Sequence, residues 1–246
     1  MSARRAALTA ECVSETTPDD GWVCSQSRTV ECVDGSADPD VVYVEATPDA
    51  GTCTGALGVS PQGPYAVGSH EITVRDDNGA PVCTTELTVV DTQAPELVEH
   101  TINLWPPNHK LHDIHVGDCV SVHDACEPDL QGEFIWASSD EPINDIGDGN
   151  SEPDILFDAC DHVRVRAERQ GPRDGRVYRL GVRVVDGSGN EAEGQCVVRI
   201  DHDRRGVDAT DSGDAYRIEL DGEDGRLECH GGGEVPDDDA GVPGGG

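Results

Sequence analysis

Apolar and polar residues alternate along several short segments of the chain. Ile72 and Val74 fall on one face of a segment that ends at the turn Asp76-Asp-Asn-Gly79, and Leu87 and Val89 share one face of the next segment. A period of two is the pattern of half-buried β-strands. The Asn-Gly pair in the turn is a strong hairpin signal, so these residues predict a β-hairpin.

The same alternation recurs in the second half of the sequence. Residues 113–122 predict one strand and residues 162–168 another. The side chains expected on their inner faces are Ile114, Val116, Val120, Val122, Val163, Val165 and Ala167. Residues 178–184 and 196–200 alternate in the same way around the turn at 186–190. Short strands with a turn roughly every 8–12 residues are typical of β-sandwiches.

The strand pattern stops before Pro95, which cannot donate to a β-ladder, so a domain boundary is expected there. We therefore predict an all-β fold of tandem immunoglobulin-like β-sandwiches. The expected parts are an N-terminal arm or remnant of an upstream unit (1–28), a first sandwich (29–95), a second sandwich (96–203) and a tail (204–246). The tail is acidic and Gly-rich and is expected to be disordered, apart from a short hairpin of residues 214–220 and 226–229.

Composition narrows the classes of partner. The formal net charge is −33, from 50 acidic against 17 basic residues. Phosphates would face carboxylates on such a surface, so we expect no nucleic-acid or anionic-membrane partner, and cations or basic proteins are favoured. No stretch approaches the length of an apolar membrane span, so no membrane insertion is expected.

Ten cysteines are spread widely along the chain, without any C-x-x-C pair. Zinc knuckles and thioredoxin-like sites need close pairs, so disulfides in an oxidising compartment are the better interpretation. Residues 1–10 lack the apolar core of a secretory signal peptide. The cysteines outweigh that lack, and we expect a secreted or cell-surface protein.

Two blocks of the chain resemble modules of bacterial surface proteins. Residues 29–95 resemble a hyalin-repeat or polycystic-kidney-disease-type domain through Val30-Glu-Cys32, residues 65–74 and residues 87–95. Residues 96–203 resemble the Ig-like module that often follows such a domain. The motifs that carry this second likeness are Leu104-Trp-Pro-Pro-Asn-His-Lys110, Ser139-Asp-Glu-Pro142, Gly147-Asp-Gly-Asn150 with Pro153-Asp154, Arg166-Ala-Glu-Arg169 and Asp174-Gly-Arg-Val-Tyr178. The resemblance implies an Ig-like fold and an extracellular setting, but no activity.

Disulfide pairing cannot be carried over from that resemblance, because the chain has extra cysteines. In an Ig-like second sandwich, Cys126 would end an early strand beside the start of a later one at Cys160, and a Cys119–Cys196 bond would tie the first strand to the last. The candidate pairs are Cys53–Cys83, Cys126–Cys160, Cys119–Cys196 and Cys12–Cys24, with Cys32 and Cys229 left over. A leftover cysteine that links two chains is the alternative.

The acidic loop 144–154 is the best metal candidate, because calcium takes about six to eight oxygen ligands. The residues that offer such oxygens are Asp145, Asp148, Asn150, Glu152 and Asp154. Their spacing does not match an EF-hand, and a solvated turn held by Asx hydrogen bonds is the alternative. Asp76, Asp77 and Asp91 form a weaker candidate set for the same ion.

The segment around the two adjacent prolines carries histidines at 109, 112 and 115. These invite a zinc interpretation, but on a strand the middle histidine would point away from the other two. A structural role is favoured instead, in which the tryptophan packs over the sandwich edge and the prolines fix an extended entry. The residues of this structural motif are Trp105, Pro106, Pro107, Asn108 and His109.

Catalysis has no motif in its favour, since the sequence lacks G-x-S-x-G, H-E-x-x-H and P-loop patterns. Glu168, which lies between Arg166 and Arg169, is expected to form a surface ion pair. The arginines expected to be exposed on the sheet either bind acidic glycans or, as we favour, balance neighbouring acids. They are Arg164, Arg166, Arg179 and Arg183.

The sequence therefore predicts a non-enzymatic structural or adhesive module at a bacterial cell surface. Its expected partners are other surface proteins or glycans, and calcium is the candidate cofactor, although none is certain. The alternative is a calcium- or carbohydrate-binding accessory region of a secreted hydrolase. An enzyme with an unrecognised site is a third hypothesis.

Overall fold

Strands make up nearly all of the regular secondary structure in the described residues, which confirms the predicted all-β class. The computed structural model describes residues 5–12, 22–24, 27–32, 43–48, 57–144, 151–203 and 208–220. The first strands are β1 (Arg5–Cys12), β2 (Trp22–Cys24), β3 (Arg28–Glu31), β4 (Tyr43–Pro48), β5 (Gly58–Ser60), β6 (Gly68–Arg75), β7 (Pro81–Val90) and β8 (Glu96–Glu99). The later elements are β9 (Thr101–Asn103), β10 (Leu111–His115), α1 (Val116–Cys119), β11 (Val120–His123), β12 (Gly132–Ser139), β13 (Ile155–Ala159), β14 (His162–Arg166), β15 (Gly175–Val185), β16 (Glu191–Asp201) and β17 (Tyr216–Glu219).

The chain divides into two compact units, and each is built from several stretches of sequence. Unit 1 comprises Met1–Leu97, Val122–Gln131 and Asp186–Ala192. Unit 2 comprises Val98–Ser121, Gly132–Val185 and Glu193–Gly246. The domain boundaries expected from the sequence stay predictions.

Unit 1 is organised around the β6–β7 hairpin. The two strands pair antiparallel with Ile72 opposite Thr85, and Gly79 N donates to Asp76 O at 3.0 Å in the turn between them. β3 joins β7 in parallel and β5 joins β6 antiparallel, which gives the sheet order β3-β7-β6-β5. A second sheet has the order β2-β1-β4.

The core of unit 1 contains the side chains that the alternation predicts. Ile72 and Leu87 are 0% exposed, and Val74 and Val89 are 1% exposed. Because strand residues two apart face the same side, one face of the hairpin becomes apolar and is buried. Tyr65 joins this core from the segment before the hairpin.

Unit 2 contains a five-stranded sheet of order β17-β12-β15-β16-β9 and a three-stranded sheet of order β10-β14-β13. The predicted inner residues of the 162–168 strand, Val163, Val165 and Ala167, are all 0% exposed. Residues 216–219 form β17, an edge strand on β12. The second arm of the hairpin predicted there, residues 226–229, lies outside the described residues. The strands β8 and β11 form a separate two-stranded ladder.

The prediction of one strand over residues 113–122 is wrong, because one helical turn, α1, interrupts it. His115 N donates to Asp118 Oδ2 at 2.9 Å at the start of this turn. A short carboxylate that binds a nearby backbone N–H competes with the β-ladder for that donor, which favours the turn. Ile114, Val116 and Val120 are nevertheless buried, whereas Val122 is only half-buried.

Two disulfides join positions that are distant in sequence. Cys119 is bonded to Cys196, as the sequence analysis proposed, with a Cα–Cα distance of 5.0 Å. Cys126 is bonded to Cys32, with a Cα–Cα distance of 5.9 Å, so the predicted Cys126–Cys160 pair is wrong. The reason is that Cys126 packs against the core of unit 1, whereas Cys160 belongs to unit 2.

Among the described cysteines none is free, and Cys83 and Cys160 are also disulfide-bonded. The predicted pairs Cys53–Cys83 and Cys12–Cys24 involve side chains outside the described residues, as does Cys229. Those pairs stay predictions. In the part of the chain that is described, no helix has the length and apolar character needed to span a bilayer.

Candidate functional site

A buried guanidinium lies at the centre of a polar cluster in unit 2. Arg176 is 0% exposed, and its Nε donates to Glu141 Oε2 at 3.1 Å. Its Nη1 donates to Asp154 Oδ2 and, at 3.0 Å, to Tyr178 Oη. Glu168 Oε1 lies 3.9 Å from the same nitrogen. These five residues are called the Arg176 cluster below.

Each carboxylate of the Arg176 cluster comes from the end of a different strand. Glu141 follows β12, Asp154 precedes β13 and Glu168 follows β14. Arg176 and Tyr178 stand two apart on β15 and therefore share one face. The strand begins at Gly175, whose φ of +135° and distance of 2.6 Å from a built Cβ to Ile200 O leave room for glycine alone.

The motifs that carry the family resemblance converge on this cluster. Glu141 belongs to the motif at 139–142, Asp154 to 153–154, Glu168 to 166–169, and Arg176 and Tyr178 to 174–178. The motif at 104–110 contributes His109, whose Nδ1 lies 3.2 Å from Glu168 Oε2. Sequence reasoning identified the motifs but missed their common contact, because side chains from five separate segments meet only in the folded unit. The available signal was a charged residue inside almost every motif.

The charges in the cluster do not balance, since three buried carboxylates surround one guanidinium. A second cation, Arg166, has its Nε 3.7 Å from Asp154 Oδ1. Burial raises the pKa of Glu141. Burial by itself lowers the pKa of Arg176, but Tyr178 and Asp154 reverse this effect and raise it. Arginine suits such a position because its planar donors serve several acceptors at once.

The prediction that Glu168 forms a surface ion pair is wrong, because Glu168 is 0% exposed. β14 ends at Arg166, and beyond it Glu168 N donates to Arg166 O at 2.9 Å, which takes the chain out of strand geometry. Burial, and then the neighbouring Asp154 carboxyl, raise the pKa of Glu168 to about 7. A carboxyl group with such a pKa in a charged cluster marks a candidate functional site.

The segment Trp105–His109 forms a fixed loop beside the cluster. His109 has a left-handed φ of 61°, and its N donates to Ala167 O at 3.0 Å. Asn108 Oδ1 accepts from Lys110 N at 3.0 Å, and Arg166 Nη1 donates to His109 O at 2.8 Å. Trp105 is 37% exposed, and the peptide bond between it and Pro106 is cis. Pro107 completes the segment and is half-buried.

The predicted calcium loop is only partly described. Asp154 is 1% exposed and its carboxylate is hydrogen-bonded to Arg176, so it is directed to that arginine and not to an ion in the loop. Glu152 is exposed and accepts a hydrogen bond from Asn144 Nδ2. Asp145, Asp148 and Asn150 lie outside the described residues.

The three histidines weighed as zinc ligands face different neighbours. His109 contacts Glu168, whereas His112 Nε2 lies 3.4 Å from Asn108 Oδ1. His115 stacks on His162 with ring centroids 4.4 Å apart. Within the described residues they do not form a common metal-binding group.

The arginines on the sheet surface are matched by acids, which agrees with the favoured interpretation. Arg164 is paired with Asp158, and Arg179 with Asp214 and Asp211. Arg183 Nε donates to Glu133 Oε1 at 2.9 Å. Arg166 differs from the expectation of an exposed arginine, because its side chain is only 12% exposed and is paired with the buried Asp154.

A second acidic cluster lies in unit 1. Asp91, Asp124 and Asp186 are 9%, 7% and 5% exposed. A carboxylate oxygen of Asp91, one of Asp124 and the Sγ of Cys126 lie within 4.8 Å of one another. Because that sulfur belongs to the Cys32–Cys126 disulfide, it offers no thiolate to a metal. Burial raises the pKa of Asp91, and the neighbouring charges of Asp124 and Asp186 add to this effect.

The backbone of unit 1 holds these carboxylates in place. Asp124 Oδ1 accepts from Cys126 N at 2.8 Å, and Asp186 Oδ1 accepts from Asn190 N at 2.8 Å. Asn190 Nδ2 donates to Asp91 O at 3.2 Å. The remaining carboxylate oxygens are hard donors of the kind that calcium prefers.

Asp91 is predicted from the sequence, whereas Asp124 and Asp186, which lie far away in sequence, are not. Their signal was that each opens a turn, as aspartates in Asx turns do. Asp76, predicted with Asp91, instead accepts from Asn78 N at 2.9 Å and Ala80 N at 2.8 Å within its own turn. In that turn Asp77 Oδ1 accepts from Asn78 Nδ2 at 3.0 Å.

No protein-family model and no curated protein matches the sequence. Among solved structures, EC1-2 of human mucin-like protocadherin is 14% identical, with 71% of this chain and 94% of that chain covered and a TM-score of 0.34. Protocadherin gamma C5 EC1-3 is 16% identical, with 76% and 66% covered and a TM-score of 0.31. Human protocadherin-24 EC1-2 is 13% identical, with 71% and 93% covered and a TM-score of 0.26. None of these three likenesses reaches a TM-score of 0.5, so they carry no argument about function.

Proposed function

We propose that the chain is a non-enzymatic structural or adhesive module of a bacterial cell-surface or secreted protein, in contact with other surface proteins or glycans. The observation that carries the proposal is the pair of long-range disulfides. They join positions 94 and 77 residues apart in the sequence. Such bonds persist in oxidising compartments outside the cytosol, and they support small β-rich cores.

The contact surface we propose is the Trp105 loop, meaning residues 105–110. Its backbone is fixed by the bonds of His109 N to Ala167 O at 3.0 Å and of Ala167 N to Lys110 O at 2.9 Å. A loop that is already ordered loses little conformational entropy when it meets a partner. The partly exposed Trp105 side chain has the large amphipathic surface that is enriched at binding sites.

Binding of the full chain to a glycan array and to purified surface proteins tests this proposal. We expect Trp105→Ala to weaken binding about tenfold or more, since aromatic anchors contribute at least ~1–2 kcal/mol at contact centres. Val185→Ala is the matched control, because Val185 is also an exposed apolar residue of unit 2, at 45%. Equal binding by wild type and Trp105→Ala would reject the Trp105 loop as the contact surface.

The extracellular setting has its own test. The protein from its native source is alkylated without reduction and analysed by mass spectrometry. We expect the cysteines of the Cys32–Cys126 and Cys119–Cys196 bridges to be unmodified. Alkylation of all ten cysteines would contradict the setting and remove the main support for an adhesive role.

The second candidate function is a calcium- or carbohydrate-binding accessory region of a secreted hydrolase. The observation that favours it is the nearly buried group of Asp91, Asp124 and Asp186 in unit 1. Carboxylates brought together in this way repel one another, and a divalent cation would relieve the repulsion. The Asp91 and Asp124 side chains would hold the ion, with Asp186 adding charge nearby.

Calcium titration with thermal melting tests this second function. Calcium at about 100 times its Kd should stabilise unit 1 by about 2.7 kcal/mol, and Asp124→Asn should abolish the rise in Tm. Asp129→Asn is the matched control, because Asp129 is an exposed aspartate of the same segment. Asp148→Asn tests the loop at 144–154 separately. Calcium binding by the Asp91 and Asp124 side chains would be rejected if calcium did not raise the Tm, or if it raised the Tm of Asp124→Asn and Asp129→Asn equally.

A further inference from the structure

The carboxylate oxygens of the Arg176 cluster outnumber the hydrogen-bond donors that reach them. Arg176 Nε donates to Glu141, and Nη1 donates to Asp154 and Tyr178. Nη2 donates to Pro142 O at 3.1 Å. Glu141 gains one more donor, Gln170 N at 2.8 Å.

Three buried oxygens in the cluster, Glu141 Oε1, Asp154 Oδ1 and Glu168 Oε1, accept no hydrogen bond from another described group. Buried acceptors without a donor are rare in folded proteins and costly to stability.

Asp154 and Glu168 also approach the same guanidinium nitrogen, because Asp154 Oδ2 accepts from Arg176 Nη1 and Glu168 Oε1 lies 3.9 Å from it. Two ionised carboxylates beside one nitrogen repel, and neither has a hydrogen to donate. One added proton removes the repulsion and supplies the missing donor. We infer that the Asp154–Glu168 pair binds one shared proton in the folded protein, so that unit 2 is stabilised by mildly acidic surroundings.

The surrounding charges indicate which partner carries the proton. Asp154 is bonded to Arg176 and lies 3.7 Å from Arg166 Nε, so its negative charge is well compensated. Glu168 has Arg176 only at 3.9 Å, and its other neighbour is the half-exposed His109. The proton therefore belongs mainly to Glu168, which donates to Asp154.

The titratable and charged groups that face this pair come from every adjoining element. They are His109 from the Trp105 loop, Glu141 after β12, Arg166 on β14, Arg176 and Tyr178 on β15, and Tyr216 on β17. Tyr178 Oη already donates to Arg166 O at 2.9 Å. Burial raises the pKa of both tyrosines, so they remain neutral.

The sign of the pH effect follows from the raised pKa of Glu168, about 7 against an ordinary value of 4.5. Between these two values the unfolded chain releases a proton that the folded chain retains. The stabilisation is therefore complete below pH 4.5 and is lost as the pH rises to about 7. The contribution of Asp158 to stability changes with pH in the opposite direction, because its hydrogen bond with Arg164 lowers its pKa.

Denaturant unfolding of the full chain between pH 4.5 and 8 tests the inference, with unit 2 followed by hydrogen exchange at the Val165 and Tyr178 amides. The folding constant of wild type should fall about tenfold or more over this range relative to Glu168→Gln. The glutamine amide supplies a permanent donor to Asp154, so that variant should lack this component of the pH dependence. Glu133→Gln, which alters a partly exposed pair with Arg183, should keep the wild-type dependence.

The inference would be overturned if the difference in folding constant between wild type and Glu168→Gln did not change with pH. A second measurement does not depend on any variant, namely the carboxyl carbon NMR signal of Glu168 in the native chain. We expect this signal to titrate near pH 7. A signal that remains that of an ionised carboxylate from pH 5 upward would refute the shared proton.

Discussion

Replacement of Arg176 by methionine is the most direct perturbation of unit 2. The change removes the donors that reach Glu141 and Asp154 and leaves three carboxylates, each at most 1% exposed, around an uncharged side chain. Breaking a buried ion pair on one side typically costs about 3–5 kcal/mol. Whole domains are stable by only about 5–15 kcal/mol, so Arg176→Met should bring unit 2 close to unfolding at ambient temperature.

The assay is urea unfolding without reductant, read by hydrogen exchange at amides of β15 so that unit 2 is followed specifically. The cost should shrink as the pH falls, because protonated carboxyls no longer need the guanidinium. Arg183→Met is the control. That arginine pairs with Glu133, and their side chains are 27% and 17% exposed. Partly exposed pairs contribute at most about 1 kcal/mol.

A second variant separates charge from packing. Simultaneous replacement of Arg176, Glu141, Asp154 and Glu168 by apolar residues of similar volume removes the whole set of charges, and such exchanges are often neutral or stabilising. We therefore expect it to recover most of the stability lost in Arg176→Met. The account would be refuted if Arg176→Met cost less than about 1 kcal/mol, or if its cost were unchanged at low pH.

Two further predictions concern packing and covalent constraint. Gly181→Ala should destabilise unit 2 by about 1–3 kcal/mol, because a Cβ there would lie 2.1 Å from Trp136 Nε1; melting and tryptophan fluorescence report the change. Gly58→Ala, at a strand position with no atom within 4 Å of a built Cβ, should lack that clash, and equal costs would contradict the reasoning. Replacement of Cys119 and Cys196 together by alanine should cost about 2–4 kcal/mol, measured by urea unfolding. A double variant as stable as wild type would show that this bridge adds no constraint.

The sequence was sufficient for the parts of the fold that depend on local periodicity. The burial of Ile72 and Leu87 follows from alternation along a hairpin, and the turn residues lie directly between its two strands in the sequence. The helical turn at Val116–Cys119 escaped prediction because Asp118 binds the backbone N–H of His115 within an otherwise strand-like pattern. The alternation of apolar and polar residues does not show whether a side chain or a neighbouring strand will bind a given backbone N–H.

The candidate sites depended on contacts between distant segments, and there prediction was weaker. The predicted partner of Cys126 is wrong because its segment belongs to unit 1, whereas the flanking segments of the sequence belong to unit 2. Glu168 was expected at the surface because it follows an alternating strand flanked by arginines. In the folded unit it is buried next to Arg176 and His109, which come from two other motifs.

The discontinuous make-up of unit 1 has a consequence for how the chain is produced. A polypeptide growing from its N-terminus reaches residue 97 without Cys126, Asp124 or the Asp186–Ala192 segment, so neither the bridge from Cys32 nor the acidic group can form at that stage. Completion must wait until residue 192 has been made. An expression fragment that stops at 97 would therefore carry an unmatched thiol, and fragments for recombinant work should extend past 192.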